Sequence, residues 1–186
     1  MRDRDVRQAL TESLQAVHDG DPDTHIRQEM GLEHGQVFVD VVVINGELHG
    51  YELKSESDTL DRLPHQVQAY SSVLDKATLV VGASHLQDAL TIIPPWWGVE
   101  KAVAQPDGSV LLKRHRKARA NPQQQPLAVA KLLWRDEVLE VLEALGVATG
   151  LRSKPRKVLY ERLVGVLPPD SLRAEVRRRL KSRVGW

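Results

Sequence analysis

Residues 37–54, VFVDVVVINGELHGYELK, hold two β-rich runs joined at Asn45-Gly46. The first run is almost entirely β-branched, which predicts a buried strand. Three charged side chains interrupt the two runs: Asp40, Glu52 and Lys54. A charge buried in a strand costs several kcal/mol unless something compensates it. Any fold this chain adopts must therefore bring these charges together or bring a counterion to them. A divalent cation would compensate the two carboxylates, with the lysine close by.

The hairpin register decides whether they meet, because successive strand residues alternate faces. Glu52 and Lys54 share a face. A two-residue Asn45-Gly46 turn pairs Ile44 with Glu47 and puts Asp40 opposite Tyr51, on the wrong face. A three-residue Ile44-Asn45-Gly46 loop, with Gly46 left-handed in a bulge, pairs Val43 with Glu47. Asp40 then lies opposite Gly50, on the face of Glu52. The second register, or an equivalent bulge, is expected, because the first buries charge without gain.

Around this hairpin the pattern predicts an α-β-β-β-α-β-α order. Val6, Leu10, Leu14 and Val17 recur at helical spacing over residues 2–18. Residues 24–32 are expected to form a strand that turns at residues 33–36 into residues 37–44. A helix over residues 58–75 is expected to begin at Asp58 as N-cap, with Pro64 starting or kinking its main part. ATLVVGA (77–83) predicts a strand, and residues 85–92 a short helix. PPWWG (94–98) excludes a regular element. PDGS separates two further strand-like runs, 99–104 and 110–115. NPQQQP (121–126) is the expected linker, and the chain beyond it reads as helical. The division expected is 1–120 for an α/β core with its C-terminal hairpin and 127–186 for a basic helical region.

Composition narrows the class. There is no cysteine, which excludes disulfides, thiol catalysis and cysteine-bound zinc, and which fits a reducing, cytoplasmic location. The charged N-terminus lacks a signal-like apolar region, and no run approaches the roughly 18 apolar residues of a membrane helix. Residues 1–100 hold 7 Lys and Arg against 17 Asp and Glu, whereas residues 101–186 hold 19 against 8. An acidic half followed by a basic half suggests two tasks, and the basic half suits a polyanion. Candidate phosphate contacts are Lys113, Arg114, Arg116, Lys117, Arg152, Lys154, Arg156 and Lys157, although arginines also solvate helices.

Asp40…Glu52-Leu53-Lys54, followed by Gln66…Tyr70, resembles the PD-(D/E)XK nuclease superfamily, in its RecB-like branch with a QxxxY helix. YELKS, DTLDRL, the later YS and PPWWG are similar to a small bacterial branch of that superfamily. The resemblance covers about residues 1–100. Val39 stands where the family commonly has proline. It implies a restriction-endonuclease-like αβββαβ core with a mixed central sheet, here with a small C-terminal helical region. It implies a metal-dependent nuclease hydrolysing phosphodiester bonds, DNA first. Mg²⁺ or Mn²⁺ would be held by Asp40 and Glu52, Lys54 would position the nucleophile, and Gln66 and Tyr70 would fix the substrate backbone. Glu29 is a candidate further ligand if His34-Gly35 turns tightly. Glu12 is its rival, but its helical phase points away. The alternative is a catalytically silent nuclease-fold module that binds DNA or regulates. No membrane partner is expected, and a homodimer stays open. Trp96 and Trp97 are candidates for base stacking, against an ordinary reading with one ring in the core and one at its rim. The segment ALGVATGLRSKPRKVLYERL faintly resembles a SAP-like helix-turn-helix DNA binder.

Overall fold

A computed structural model describes residues 1–184. The protein is α/β, built on one mixed six-stranded sheet in the order β1 to β6. The elements are α1 (Asp3–Val17), β1 (His25–Leu32), β2 (Val37–Ile44), β3 (Leu48–Lys54), α2 (Leu63–Val73), β4 (Lys76–Gly82), α3 (Leu86–Ile92), β5 (Gly98–Ala104) and β6 (Val110–Arg116). Four helices follow: α4 (Pro126–Ala130), α5 (Arg135–Ala144), α6 (Arg156–Val166) and α7 (Pro169–Ser182). β3, β4 and β5 run parallel, and the remaining neighbours pair antiparallel. No helix among the described residues is long and apolar enough to cross a membrane.

The sheet is covered on both faces. Val6, Leu10 and Leu14 of α1 seal one face against Val41, Val43, Tyr51, Leu53, Val80 and Ala102. The other face carries α2, α3 and the C-terminal helices in one apolar cluster running from Met30 to Leu180. The C-terminal helices therefore extend the core of the sheet. Residues 121–126 do not hang free as a linker. Asn121 Nδ2 donates to the carbonyls of Ser71 and Leu74, and Gln124 Nε2 to that of Val73. These bonds satisfy carbonyls at the end of α2, which its own helix leaves without partners.

Three local expectations change. Asp58 does not cap α2; its carboxylate accepts from Ser55 N and Oγ, both at 2.7 Å, and so turns the chain out of β3. The helical reading of the chain beyond residue 126 is interrupted at Trp134, where α5 starts anew with Glu137 accepting the Trp134 N–H at 2.7 Å. Both tryptophans of PPWWG are buried, at 6% and 0% exposure, so neither offers a ring to a base.

The β2–β3 register matches neither alternative. Ile44 pairs with Leu48, which leaves a three-residue loop, Asn45-Gly46-Glu47. Asn45 Oδ1 accepts the Glu47 N–H, and Gly46 is not left-handed. The side chain of Asn45 closes the loop, so glycine's conformational freedom is not required there.

Candidate active site

The site sits where β2 parts from β3. Their ladder ends at Val41 and Tyr51. Beyond it, the Asp40 carboxylate takes the place of a backbone partner: Leu53 N donates to Asp40 Oδ2 at 2.8 Å. Alternation along β2 breaks at this point. Val37, Val39, Val42 and Ile44 pack on the α2 face, whereas Val41 and Val43 pack on the α1 face. β1 breaks phase at the same level, with Glu29 at φ 55°. The β1–β2 register places Glu29 across from Asp40, between the pairs Gln28–Val41 and Met30–Val39. Simple parity therefore could not place Asp40, because it stands at a phase break.

Glu52 and Lys54 project from β3 toward α2, which presents Gln66 and Tyr70 one turn apart. Glu52 is 1% exposed and Lys54 is 4% exposed. Lys54 Nζ lies 2.5 Å from Glu52 Oε1 and 3.0 Å from Gln66 Oε1. The Tyr70 hydroxyl donates to Glu52 Oε2 at 2.6 Å. Tyr70 is fully buried, with its ring stacked on Trp97 at 5.4 Å between centroids. It cannot touch a substrate, so it positions Glu52, in place of the backbone contact expected of it. Burial, followed by the charge of Asp40, pushes the Glu52 carboxyl up to about 7. Burial and the Glu52 charge likewise raise Tyr70 well above an ordinary phenol.

Arg7 of α1 had no part in the sequence reading. Its guanidinium donates to Asp40 Oδ1 and to the Asp40 carbonyl, both at 2.9 Å, and meets Glu29 at 3.0 Å. Its spacing of four from Asp3 was the available signal; that pair also forms, at 3.3 Å. Asp40, Glu52, Lys54, Gln66, Glu29 and Arg7 all line one cleft of about 370 Å³. Glu12 lies elsewhere, bonded to Gln8.

Among the described residues no group of three or more His, Cys, Asp or Glu is gathered for a metal. Three carboxylates line the cleft, with Asp40 and Glu29 both bonded to Arg7 and Glu52 bonded to Lys54. Two carboxylates on a cleft fit a hard cation such as Mg²⁺, which is commonly held by one or two carboxylates, waters and phosphate oxygens. Burial and the neighbouring Asp40 charge raise the Glu52 carboxyl, and Lys54 and Tyr70 pull it back only in part.

The eight basic candidates scatter. Lys113, Arg114 and Lys117 are exposed on or just beyond β6, at the far edge of the sheet. Arg116 is committed to the carbonyls of Trp97 and Pro94, at 2.7 and 3.2 Å. Arg152 pairs with Glu143 at 2.8 Å, and Lys157 faces Glu161 at 3.8 Å. Lys154 is exposed in the α5–α6 connection. Arg156 lines a second cavity, which shares Glu29 with the cleft.

Comparison with known proteins places the whole chain. The family described as bacteriophage P4 protein cII matches residues 1–185. The chain belongs to the bacteriophage P4 protein cII family. Protein cII of Enterobacteria phage P4 is 25% identical to it over 125 residues, covering 67% of this chain and 47% of the relative. The chain thus spans about half the length of the curated relative it matches. No solved structure matches it.

Proposed function

We propose that this member of the cII family is a metal-dependent phosphodiesterase of the PD-(D/E)XK type, acting on DNA. The observation that carries the proposal is the Asp40–Glu52–Lys54 cluster at a strand parting, braced by Gln66 and Tyr70 and open to a cleft. A divalent cation held by Asp40 and Glu52 would polarise the phosphate and acidify a water. Lys54 orients the attacking water and offsets the charge that builds on the phosphate oxygens. Gln66 holds the lysine ammonium in place. Tyr70 donates to Glu52 and keeps one carboxylate oxygen fixed.

A second reading, a silent nuclease-fold module, is favoured by one observation. Arg7 already supplies a permanent cation to Asp40 and Glu29. Incubating the purified full chain with Mg²⁺ or Mn²⁺ and single-stranded, duplex and RNA substrates separates the two. Cleavage is expected, with a loss of about 10²–10³-fold in Lys54→Ala, as for removal of one charge-stabilising donor. The phosphodiesterase reading fails if every substrate stays intact or if Lys54→Ala cuts as well as the wild type.

A further inference from the structure

A second cavity, of about 430 Å³, opens between the β1–β2 hairpin and the C-terminal helices. It shares Glu29 with the cleft, so the hairpin forms a wall common to both. Glu29 is its only acidic lining residue among the described residues, against Lys131, Arg135, Arg156 and Arg183. Arg135 faces Asp136 at 3.4 Å, and Arg183 meets Glu137. Lys131 and Arg156 are exposed, and neither side chain has an ion-pair or hydrogen-bond partner among the described residues. Trp134 stands on the same rim at 55% exposure. Its indole is propped from one side by the Arg183 guanidinium, 4.3 Å from the ring centroid. An aromatic held in place yet left uncovered, beside two unpaired cations, suits a base and its flanking phosphates. The hairpin wall is also strained: Glu29, Glu33 and His34 adopt φ of 55°, 50° and 61° without being glycine. Strain of this kind clusters at functional sites. A volume of about 430 Å³ falls within the roughly 300–1,000 Å³ range of small-ligand pockets, so it admits a nucleotide but no duplex.

Resting on the phosphodiesterase reading, we infer that this cavity binds an unpaired stretch of the nucleic-acid strand whose scissile phosphate lies in the cleft. Lys131 and Arg156 hold its phosphates, and Trp134 stacks on a base. The strand crosses the β1–β2 hairpin on its way between the two.

Fluorescence anisotropy of a short labelled single-stranded oligodeoxynucleotide, in EDTA, tests the site with nothing cut. The double variant Lys131→Glu/Arg156→Glu is expected to lose at least about tenfold in affinity. Its log–log salt slope should fall by about 1.4, at about 0.7 per phosphate contact on single strands. Trp134→Ala should lose about tenfold, in keeping with one stacked base. Lys113→Glu/Arg114→Glu, an equal charge reversal on the far edge strand, should lose much less affinity than the Lys131→Glu/Arg156→Glu pair. The inference is overturned if the first two variants bind like the wild type, or if a blunt duplex of the same sequence binds as tightly. A protein that binds this way but never cuts would remove the phosphodiesterase reading and leave the site. A protein that cuts while its charge-reversed variant binds unchanged would do the opposite.

Discussion

At the scale of single residues, the site is a set of hydrogen bonds that allots each carboxylate oxygen a donor. Tyr70→Phe removes the donor to Glu52 Oε2 and leaves a buried oxygen short of a partner. The expected cost is about 1–3 kcal/mol of stability. The variant should also titrate Glu52 above its present value of about 7, moving the acid limb of the cleavage profile to higher pH. An unchanged limb would mean that Tyr70 serves packing alone. Arg7 would compete with a divalent ion for the Asp40 oxygens. Arg7→Gln is therefore expected to tighten Mn²⁺ binding several-fold by calorimetry; weaker binding would show that Arg7 holds Asp40 in the ligating pose. Asp40, Glu52 and Lys54 were legible as charges out of place in apolar strands, and Gln66 and Tyr70 joined them only through the family resemblance. Arg7 was not legible, since a single arginine on an amphipathic helix carries no mark of what lies across from it. Lys131 and Trp134 were silent for a similar reason: only the packing of α6 against α4 and α5 makes them neighbours of Arg156.

At the scale of elements, strands and helices followed their periodicity closely, and the errors fell where side chains replace backbone. Asp40 stands in for a ladder partner, Asn45 closes the hairpin loop, and Asp58 bends the exit of β3. Polar side chains bonding to nearby backbone leave little trace in a hydrophobic pattern. The 121–126 segment reads as a linker by composition, yet its amides secure the end of α2. Close approach limits substitution at the start of β5. A Cβ on Gly98 would sit 2.6 Å from Thr78 Oγ1 and 2.9 Å from the backbone nitrogen of Ala118. Gly98→Ala should cost about 1–3 kcal/mol, read from urea midpoints, because a backbone atom cannot step aside as a side chain can. A neutral result would mean that the residues following β6 shift freely.

At the scale of the molecule, two buried groups set opposing pH slopes. Burial, then the charge of Lys76, lowers His49 to about 4, where it stacks on Tyr51 and meets Thr78 Oγ1 at 2.9 Å. Its contribution is present above its ordinary 6.5 and is lost as pH falls toward 4. Glu52, raised from 4.5 to about 7, contributes below 4.5 and loses that contribution as pH rises through 7. The two slopes oppose each other between about 4.5 and 6.5, so the wild type should be nearly flat there. His49→Gln should expose the Glu52 slope and grow more stable on acidification through that window, measured by urea unfolding at successive pH values. A cation held in the cleft would offset the burial of the Glu52 carboxylate further than Lys54 and Tyr70 do. The most direct measurement is anomalous difference density from crystals of the full chain grown with Mn²⁺. A peak bound by both Asp40 and Glu52 is expected, with Arg7 withdrawn from Asp40. Crystals without that peak, and with Arg7 still seated on the Asp40 carboxylate, would contradict that expectation.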